Sequence, residues 1–237
     1  MCPYMRVLKP MLYFLCKRIR YGVKSLKYKN RQHAGEVLAR KLSDIDFETQ
    51  PVVLAIPNGG IPVGVEIAKR INADFDAIIV RKMQIPGNPE AGFGSITSYG
   101  SVEFNEALLR RLNLGQDQIE AVIESTRSQI ESRKEEYEGL VGVIKPEGRD
   151  TIIVDDGIAS GYTMLAAIHS IQPIAPRSLI VAAPTASARA ASLVREKADE
   201  LVCPNIESGF VFAVANAYEK WYDVPDSEAK TLLKEFR

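Results

Sequence analysis

Thr151-Ile152-Ile153-Val154-Asp155-Asp156-Gly157-Ile158-Ala159-Ser160-Gly161-Tyr162-Thr163 is the stretch that decides how this chain is read. Its first four residues are β-branched and unbroken, as a parallel strand buried on both faces requires. Such a strand delivers Asp155 and Asp156 to the carboxyl edge of a sheet. In open α/β sheets ligands bind at that edge, and the Gly157–Thr163 turn presents backbone N–H groups at the start of the next helix, where an anion is favoured. A sugar phosphate suits such a turn.

The same unit recurs to either side. Val52–Ile56 is apolar and ends in Pro57-Asn58-Gly59-Gly60, after which Val63, Ile67, Ala68 and Ile71 recur at helical spacing. Ala77–Val80 repeats the strand signal and closes on Arg81-Lys82. Ser178–Ala183 and Leu201–Cys203 repeat it again, with helices predicted over Leu165–Ile171 and Ala186–Lys197. Asn30–Ser43 carries a helical stripe that Asn30 can cap. This alternation predicts an α/β fold, a doubly wound and mostly parallel sheet flanked by helices. Two segments interrupt it. Met83–Phe104, rich in Gly and Pro, reads as a long loop or loose hairpin beside the sheet, and Asn105–Tyr137 reads as a helical region with Ile119, Val122, Ile123, Thr126 and Ile130 on one stripe.

Composition bounds the function. With 237 residues, 46% of them hydrophobic, the chain can bury one sizeable core. Thirty basic and thirty acidic side chains cancel, so nothing global argues for a nucleic-acid partner. Cys2, Cys16 and Cys203 are odd in number and scattered, which fits inert thiols in a reducing, cytoplasmic setting. His33 and His169 are too few for a His/Cys metal cluster. Residues 1–29 hold a short apolar patch, Met11–Cys16, flanked by Lys9, Lys17, Arg18 and Arg20. The patch is too short to span a bilayer and no small-residue cleavage site follows it, so the expectation is a flexible or loosely docked extension ahead of a domain over 30–237, with no membrane span.

Val154–Thr163 resembles the phosphoribosyl-pyrophosphate (PRPP) loop of type I phosphoribosyltransferases: a hydrophobic strand, two acids, two spacers, a small residue, Ser/Thr, Gly, any residue and Ser/Thr. The resemblance extends from about Asn30 to the C-terminus through Pro57–Gly60, Arg81-Lys82, the long loop and Gly148-Arg149. It implies that family's fold with a long loop or hairpin and a small C-terminal hood. It also implies transfer of the 5-phosphoribosyl group from PRPP to a nitrogen acceptor with release of pyrophosphate, Mg²⁺ as cofactor, and a homodimer. Carried onto this chain, Gly157, Ile158, Ala159, Ser160, Gly161, Tyr162 and Thr163 would hold the 5′-phosphate, and Asn58, Gly59 and Gly60 the pyrophosphate. Asp155, Asp156, Arg81 and Lys82 form the catalytic set, the two aspartates binding the ribose hydroxyls and touching the metal only through ribose or water.

Two positions depart from the pattern. Ala159 stands where the 6-oxopurine branch has an aspartate, which points away from hypoxanthine or guanine as acceptor, and Asn58 stands where several relatives carry arginine. The late aromatics Phe212, Tyr218 and Trp221 are the candidate acceptor contacts, since their rings can stack on a heterocycle; the alternative is that they pack within a C-terminal strand and hood. The acceptor itself is not identified. A non-catalytic PRPP- or nucleotide-binding regulator of the same fold remains open as a second class. A phosphohydrolase or kinase is more distant, because the chain lacks a G-x₄-G-K-[ST] sequence.

Overall fold

Asn30 opens the fold as a helix cap: its carboxamide accepts the His33 N–H at 2.9 Å and starts α1 (Arg31–Leu42), which buries Ala34, Leu38, Ala39 and Leu42. The computed structural model describes residues 26–100, 102–209 and 211–236. β1 (Val52–Ala55) is buried along its whole length and runs through a turn into α2 (Gly60–Ile71), then β2 (Asp74–Ala77). Next come β3 (Val80–Ile85), β4 (Asn88–Thr97) and β5 (Val102–Phe104), followed by α3 (Glu106–Leu112) and the long α4 (Gln116–Glu136). The second half alternates again through β6 (Asp150–Val154), α5 (Tyr162–Ile171), β7 (Ser178–Ala182), β8 (Thr185–Ser187), α6 (Ala188–Arg195), β9 (Glu200–Val202), β10 (Asn205–Glu207) and α7 (Asp226–Phe236).

Five of these strands form a parallel sheet in the order β2-β1-β6-β7-β9. β1 leads outward to β2 on one side and β6 leads to β7 and β9 on the other, so the winding reverses between β1 and β6. That reversal opens a crevice at the carboxyl ends of these two strands. Val52–Ala55 lies in register with Thr151–Val154, which brings the Pro57–Gly60 turn alongside Asp155 and Asp156. Two apolar clusters cover the sheet. One joins Val53, Ala55, Ile152 and Val154 to α1, α2, α4 and α7; the other joins Val52, Leu54, Ile153 and Val181 to α5 and α6. The strand residues alternate between the clusters, as a sheet buried on both faces demands.

Three expectations need correction. Of the long loop or loose hairpin expected over Met83–Phe104, the loop is corrected and the hairpin forms: β3 and β4 pair antiparallel and β5 adds a third strand. Gly92 and Gly94 mark places where a cross-strand side chain lies over the backbone: a Cβ on Gly92 would sit 2.2 Å from Lys82 Cγ, and one on Gly94 2.3 Å from Met83 Cε. Second, Arg81-Lys82 does not close a strand of the main sheet, because that strand ends at Ala77 and the pair lies inside β3. Third, the 29/30 domain boundary falls too late for its last residues. Tyr28 is fully buried, its N–H donates to Ala217 O at 2.8 Å, its hydroxyl donates to Pro184 O at 2.8 Å, and its carbonyl accepts the Glu219 N–H. The remainder of the expected extension, residues 1–25, lies outside the described residues.

Smaller differences have local causes. The helical region over Asn105–Tyr137 breaks in two at Asn113, a left-handed residue with φ 47°. The short parallel pair β8-β10, three residues a side, gives too little periodicity to read from sequence.

Candidate active site

Two turns and an acid pair meet where the sheet reverses. Ile56 N–H donates to Val154 O at 2.8 Å, the last rung between β1 and β6, and beyond it the chain turns through Pro57–Gly60 with a cis Pro57–Asn58 peptide. Gly60 N–H and Ile61 N–H are engaged by Ile56 O and Asn58 O, which leaves the Asn58 and Gly59 amides as the donors of this turn. Gly59 packs directly on the other half of the site: a Cβ there would lie 2.0 Å from Asp156 Oδ2.

The second turn is pinned from below and open above. Ile158 bridges Ala186 of β8 through two backbone hydrogen bonds, and Ser187 Oγ donates to Ala159 O at 2.7 Å. Ala159, Ser160, Tyr162 and Thr163 are exposed, while Gly157, Ile158 and Gly161 are buried. Gly161 takes φ +86° as the N-cap of α5, a conformation L residues resist, and no side chain caps the first amides of that helix. Those amides, with the hydroxyls of Ser160 and Thr163, form a cradle for an anion at the positive end of the helix.

The acids are held unequally. Asp156 pairs with Arg31 Nε at 2.8 Å, the two side chains being only 14% and 4% exposed. The Arg31 guanidinium also donates to Tyr222 O at 2.7 Å and lies 4.1 Å from the Trp221 ring centroid. Tyr218 donates its hydroxyl to the Asp156 carbonyl at 2.6 Å, and Asp155 Oδ1 accepts the Asp156 N–H at 2.8 Å. Burial pushes both carboxyls above the usual aspartate range. For Asp155 the neighbouring Asp156 charge adds to that push, whereas for Asp156 the Arg31 guanidinium opposes it.

The remaining sequence candidates divide. Arg81 lies beside Pro57, Asn58, Ile79, Val80 and Arg133 around a cavity of about 30 Å³, next to the Pro57–Gly60 turn. Lys82 follows it in a strand, where successive side chains alternate in direction, and lines a separate groove of about 410 Å³ between β3 and α4. The structure does not bring the two cations to one place. The Asn58 carboxamide turns away from the crevice: it donates to Val224 O and Asp226 Oδ1, both at 2.8 Å, and accepts from Arg133 at 3.0 Å and Tyr137 at 2.6 Å. Tyr218 is buried between Tyr28 and Trp221 and its ring is not laid open as expected for an acceptor contact, whereas Trp221 carries Arg31 on one face and stays exposed. Phe212 is half-buried. Arg149 lies at the opposite edge of the sheet, bonded to Gln50 O and Asp74.

Arg31, Arg133, Tyr137 and Asp226 are the participants that pattern reading passed over. Three carried a visible signal. Arg31 is in helical phase with the buried Ala34, Leu38 and Leu42, and Arg133 and Tyr137 continue the stripe of Thr126 and Ile130. A cation in phase with an apolar stripe is buried by its helix and must find an anion. Arg133 finds Asp226, whose carboxyl is held down to about 2 by the Arg133 hydrogen bond first of all.

Comparison with known proteins agrees with this geometry. The phosphoribosyl transferase domain model matches residues 24–219. A protein of Mycobacterium tuberculosis, named "Putative phosphoribosyl transferase Rv0571c" in strain H37Rv and "Putative phosphoribosyl transferase MT0597" in strain CDC 1551, is 32% identical over 206 residues. That match covers 87% of this chain and 46% of the relative, so the chain spans about half the relative's length. The crystal structure of TT1426 from Thermus thermophilus superposes with a TM-score of 0.78 at 33% identity, over 89% of this chain and 99% of that one. The chain belongs to the type I phosphoribosyltransferase family.

Proposed function

We propose that the chain transfers the 5-phosphoribosyl group of PRPP to a nitrogen acceptor, releasing pyrophosphate. The observation that carries this reading is the wedging of Asp156 against Gly59, which makes one crevice of the acid pair, the Gly157–Thr163 cradle and the Pro57–Gly60 turn. These three parts match the three parts of PRPP. The cradle offers amides and hydroxyls to the 5′-phosphate, the acid pair offers acceptors to the ribose hydroxyls, and the Asn58 and Gly59 amides, with Arg81 and Arg133 behind them, face the pyrophosphate. The name of the mycobacterial relative supports the same activity.

In the proposed reaction the acceptor nitrogen bonds to ribose C1 as the bond from C1 to the pyrophosphate oxygen breaks, the electron pair leaving with pyrophosphate. The protein positions the reactants and stabilises charge on the leaving group. The carboxylates would steady the positive charge that develops on the ribose. Magnesium is proposed as part of the substrate, where it would supply positive charge to the leaving pyrophosphate, with Asp155 and Asp156 meeting it only through ribose or water. Among the described residues no group of three or more His, Cys, Asp or Glu is placed to hold a metal ion directly. No described helix is long and apolar enough to cross a membrane. A homodimer and a cytoplasmic setting belong to the same proposal and rest on the family.

A PRPP-binding regulator without turnover is the second reading. It is favoured by Asn58, whose side chain is committed to Arg133, Tyr137, Val224 and Asp226 instead of the ligand. Incubation with PRPP, Mg²⁺ and a panel of nitrogenous acceptors separates the two, with pyrophosphate release and PRPP binding measured together. Acceptor-dependent release supports transfer, binding without release supports the regulator, and no binding overturns both.

A further inference from the structure

The groove between β3 and α4 takes no part in the crevice, yet its volume of about 410 Å³ falls within the range of small-molecule sites. Its direction follows from its neighbours. Arg81 meets Arg133 at the cavity of about 30 Å³, so Lys82 stands at the Gln129 end of the groove, one helical turn before Arg133, while Pro86 and Gly87 stand at the Gln118 end. The groove therefore runs away from the crevice, beyond the two arginines that back the Pro57–Gly60 turn. An acceptor that displaces pyrophosphate must approach ribose C1 from the face opposite the leaving group, so the groove is not its place. That exclusion rests on the PRPP reading above.

The lining has one consistent chemistry. Ile85 and Pro86 give one wall an apolar surface and Ala121 and Val122 give the other, so a flat ring can lie between strand and helix. Gln84, Gln118 and Gln129 bring primary amides, each a donor beside an acceptor, the pairing that matches the N6 and N7 edge of adenine. Lys82 brings the positive charge, and among the described residues that line the groove none is acidic. The Lys82 stem is given room by a glycine across the ladder: a Cβ on Gly92 would meet its Cγ at 2.2 Å and its Cδ at 2.5 Å. Apolar walls, neutral amides and one cation without a counter-charge suit a planar heterocycle that carries a phosphate. We propose that the groove is a second ligand site, separate from the crevice, that takes an adenine nucleotide with the base between the two walls and the phosphate at Lys82.

The test is calorimetric titration of the full chain with AMP, repeated on variants of the groove and of the crevice. Lys82→Gln is expected to weaken AMP about tenfold or more, the loss of one charge-assisted hydrogen bond. Ala121→Trp sets an indole into the groove from an exposed position of α4 and is expected to abolish AMP binding, while the circular dichroism spectrum and PRPP binding are retained. Should that variant fail to fold, Lys82→Gln carries the comparison. Asp155→Asn, which alters the crevice, leaves AMP affinity unchanged. CMP, whose ring lacks the N6 and N7 edge, binds at least about tenfold more weakly than AMP, and equal affinity overturns the adenine assignment. No AMP binding by the unaltered chain, equal binding by the unaltered, Lys82→Gln and Ala121→Trp proteins, or loss of AMP in Asp155→Asn overturns the second site. A chain that binds AMP in this pattern and never binds PRPP overturns the PRPP reading and not this inference.

Discussion

A single methyl group at Gly59 probes the junction on which the site depends. Gly59 has φ −61° and ψ −34°, a conformation alanine adopts without strain, so Gly59→Ala acts through space alone. The new Cβ would lie 2.0 Å from Asp156 Oδ2 and 2.5 Å from Cγ, against the 3.4 Å at which ordinary contact begins. The carboxylate must therefore retreat by roughly 1.4 Å or the Pro57–Gly60 turn must lift by as much. Arg31 cannot follow, being held by Tyr222 O and stacked on Trp221. Breaking a buried ion pair costs about 3–5 kcal/mol. At about 2–4 °C per kcal/mol for a domain of this size, even the lower figure depresses the melting temperature by roughly 6–12 °C. A displacement of about 1 Å in a binding constellation also costs on the order of 100-fold in function. Thermal unfolding by circular dichroism and calorimetric titration with PRPP and Mg²⁺ measure the two effects on one preparation. A Gly59→Ala protein that melts and binds PRPP like the unaltered chain would refute the packing argument.

Other perturbations read other parts of the site. Asp155→Asn should melt higher than the unaltered chain at about pH 8 while losing PRPP binding: burial raises this carboxyl in the fold, so the ionised form destabilises the native state, and the gap narrows as falling pH protonates Asp155. A lower melting temperature at that pH contradicts the sign. Asp226→Asn removes a carboxyl held down to about 2 by Arg133; its stability deficit, measured by thermal unfolding, should be constant above about pH 4 and vanish as pH falls towards 2. The deficit should stay near or below about 1 kcal/mol because the Asp226 side chain is 45% exposed, and a gap that persists at pH 2 would contradict the assignment. Tyr218→Phe deletes the 2.6 Å hydrogen bond to the Asp156 carbonyl; urea unfolding should register about 1–3 kcal/mol, and PRPP affinity should fall with it.

The parallel sheet was legible because its evidence is local. Val52–Ala55 and Thr151–Val154 are unbroken apolar runs followed by turns, and the motif after Val154 places the acids without any knowledge of the rest of the chain. The β3-β4-β5 sheet was legible only as a loop or loose hairpin, for the opposite reason. Gly92 and Gly94 read as loop residues until Lys82 and Met83 are seen lying across them, a cross-strand fact that no window of sequence contains. Asn58 and Arg31 show the same limit at the site. Position 58 was readable as part of a glycine turn, but its side chain answers to Arg133, 75 residues away, and to Asp226, 168 residues away. Arg31 drew no reading beside the Asn30 cap, although its phase with Ala34 and Leu38 already placed it on the buried face. The aromatics near the C-terminus were readable either as acceptor contacts or as packing; Tyr218 takes the packing role and holds the Asp156 carbonyl, while Trp221 carries Arg31 on one face and stays exposed.

The central claim is that the crevice between β1 and β6 binds PRPP through Asp155 and the two turns beside it. Calorimetric titration of the full chain with PRPP in the presence of Mg²⁺, repeated on Asp155→Asn, tests it most directly. Saturable binding with one PRPP per chain, lost in Asp155→Asn while the circular dichroism spectrum is retained, is the expected result. No binding by the unaltered chain, or equal binding by both proteins, would contradict it.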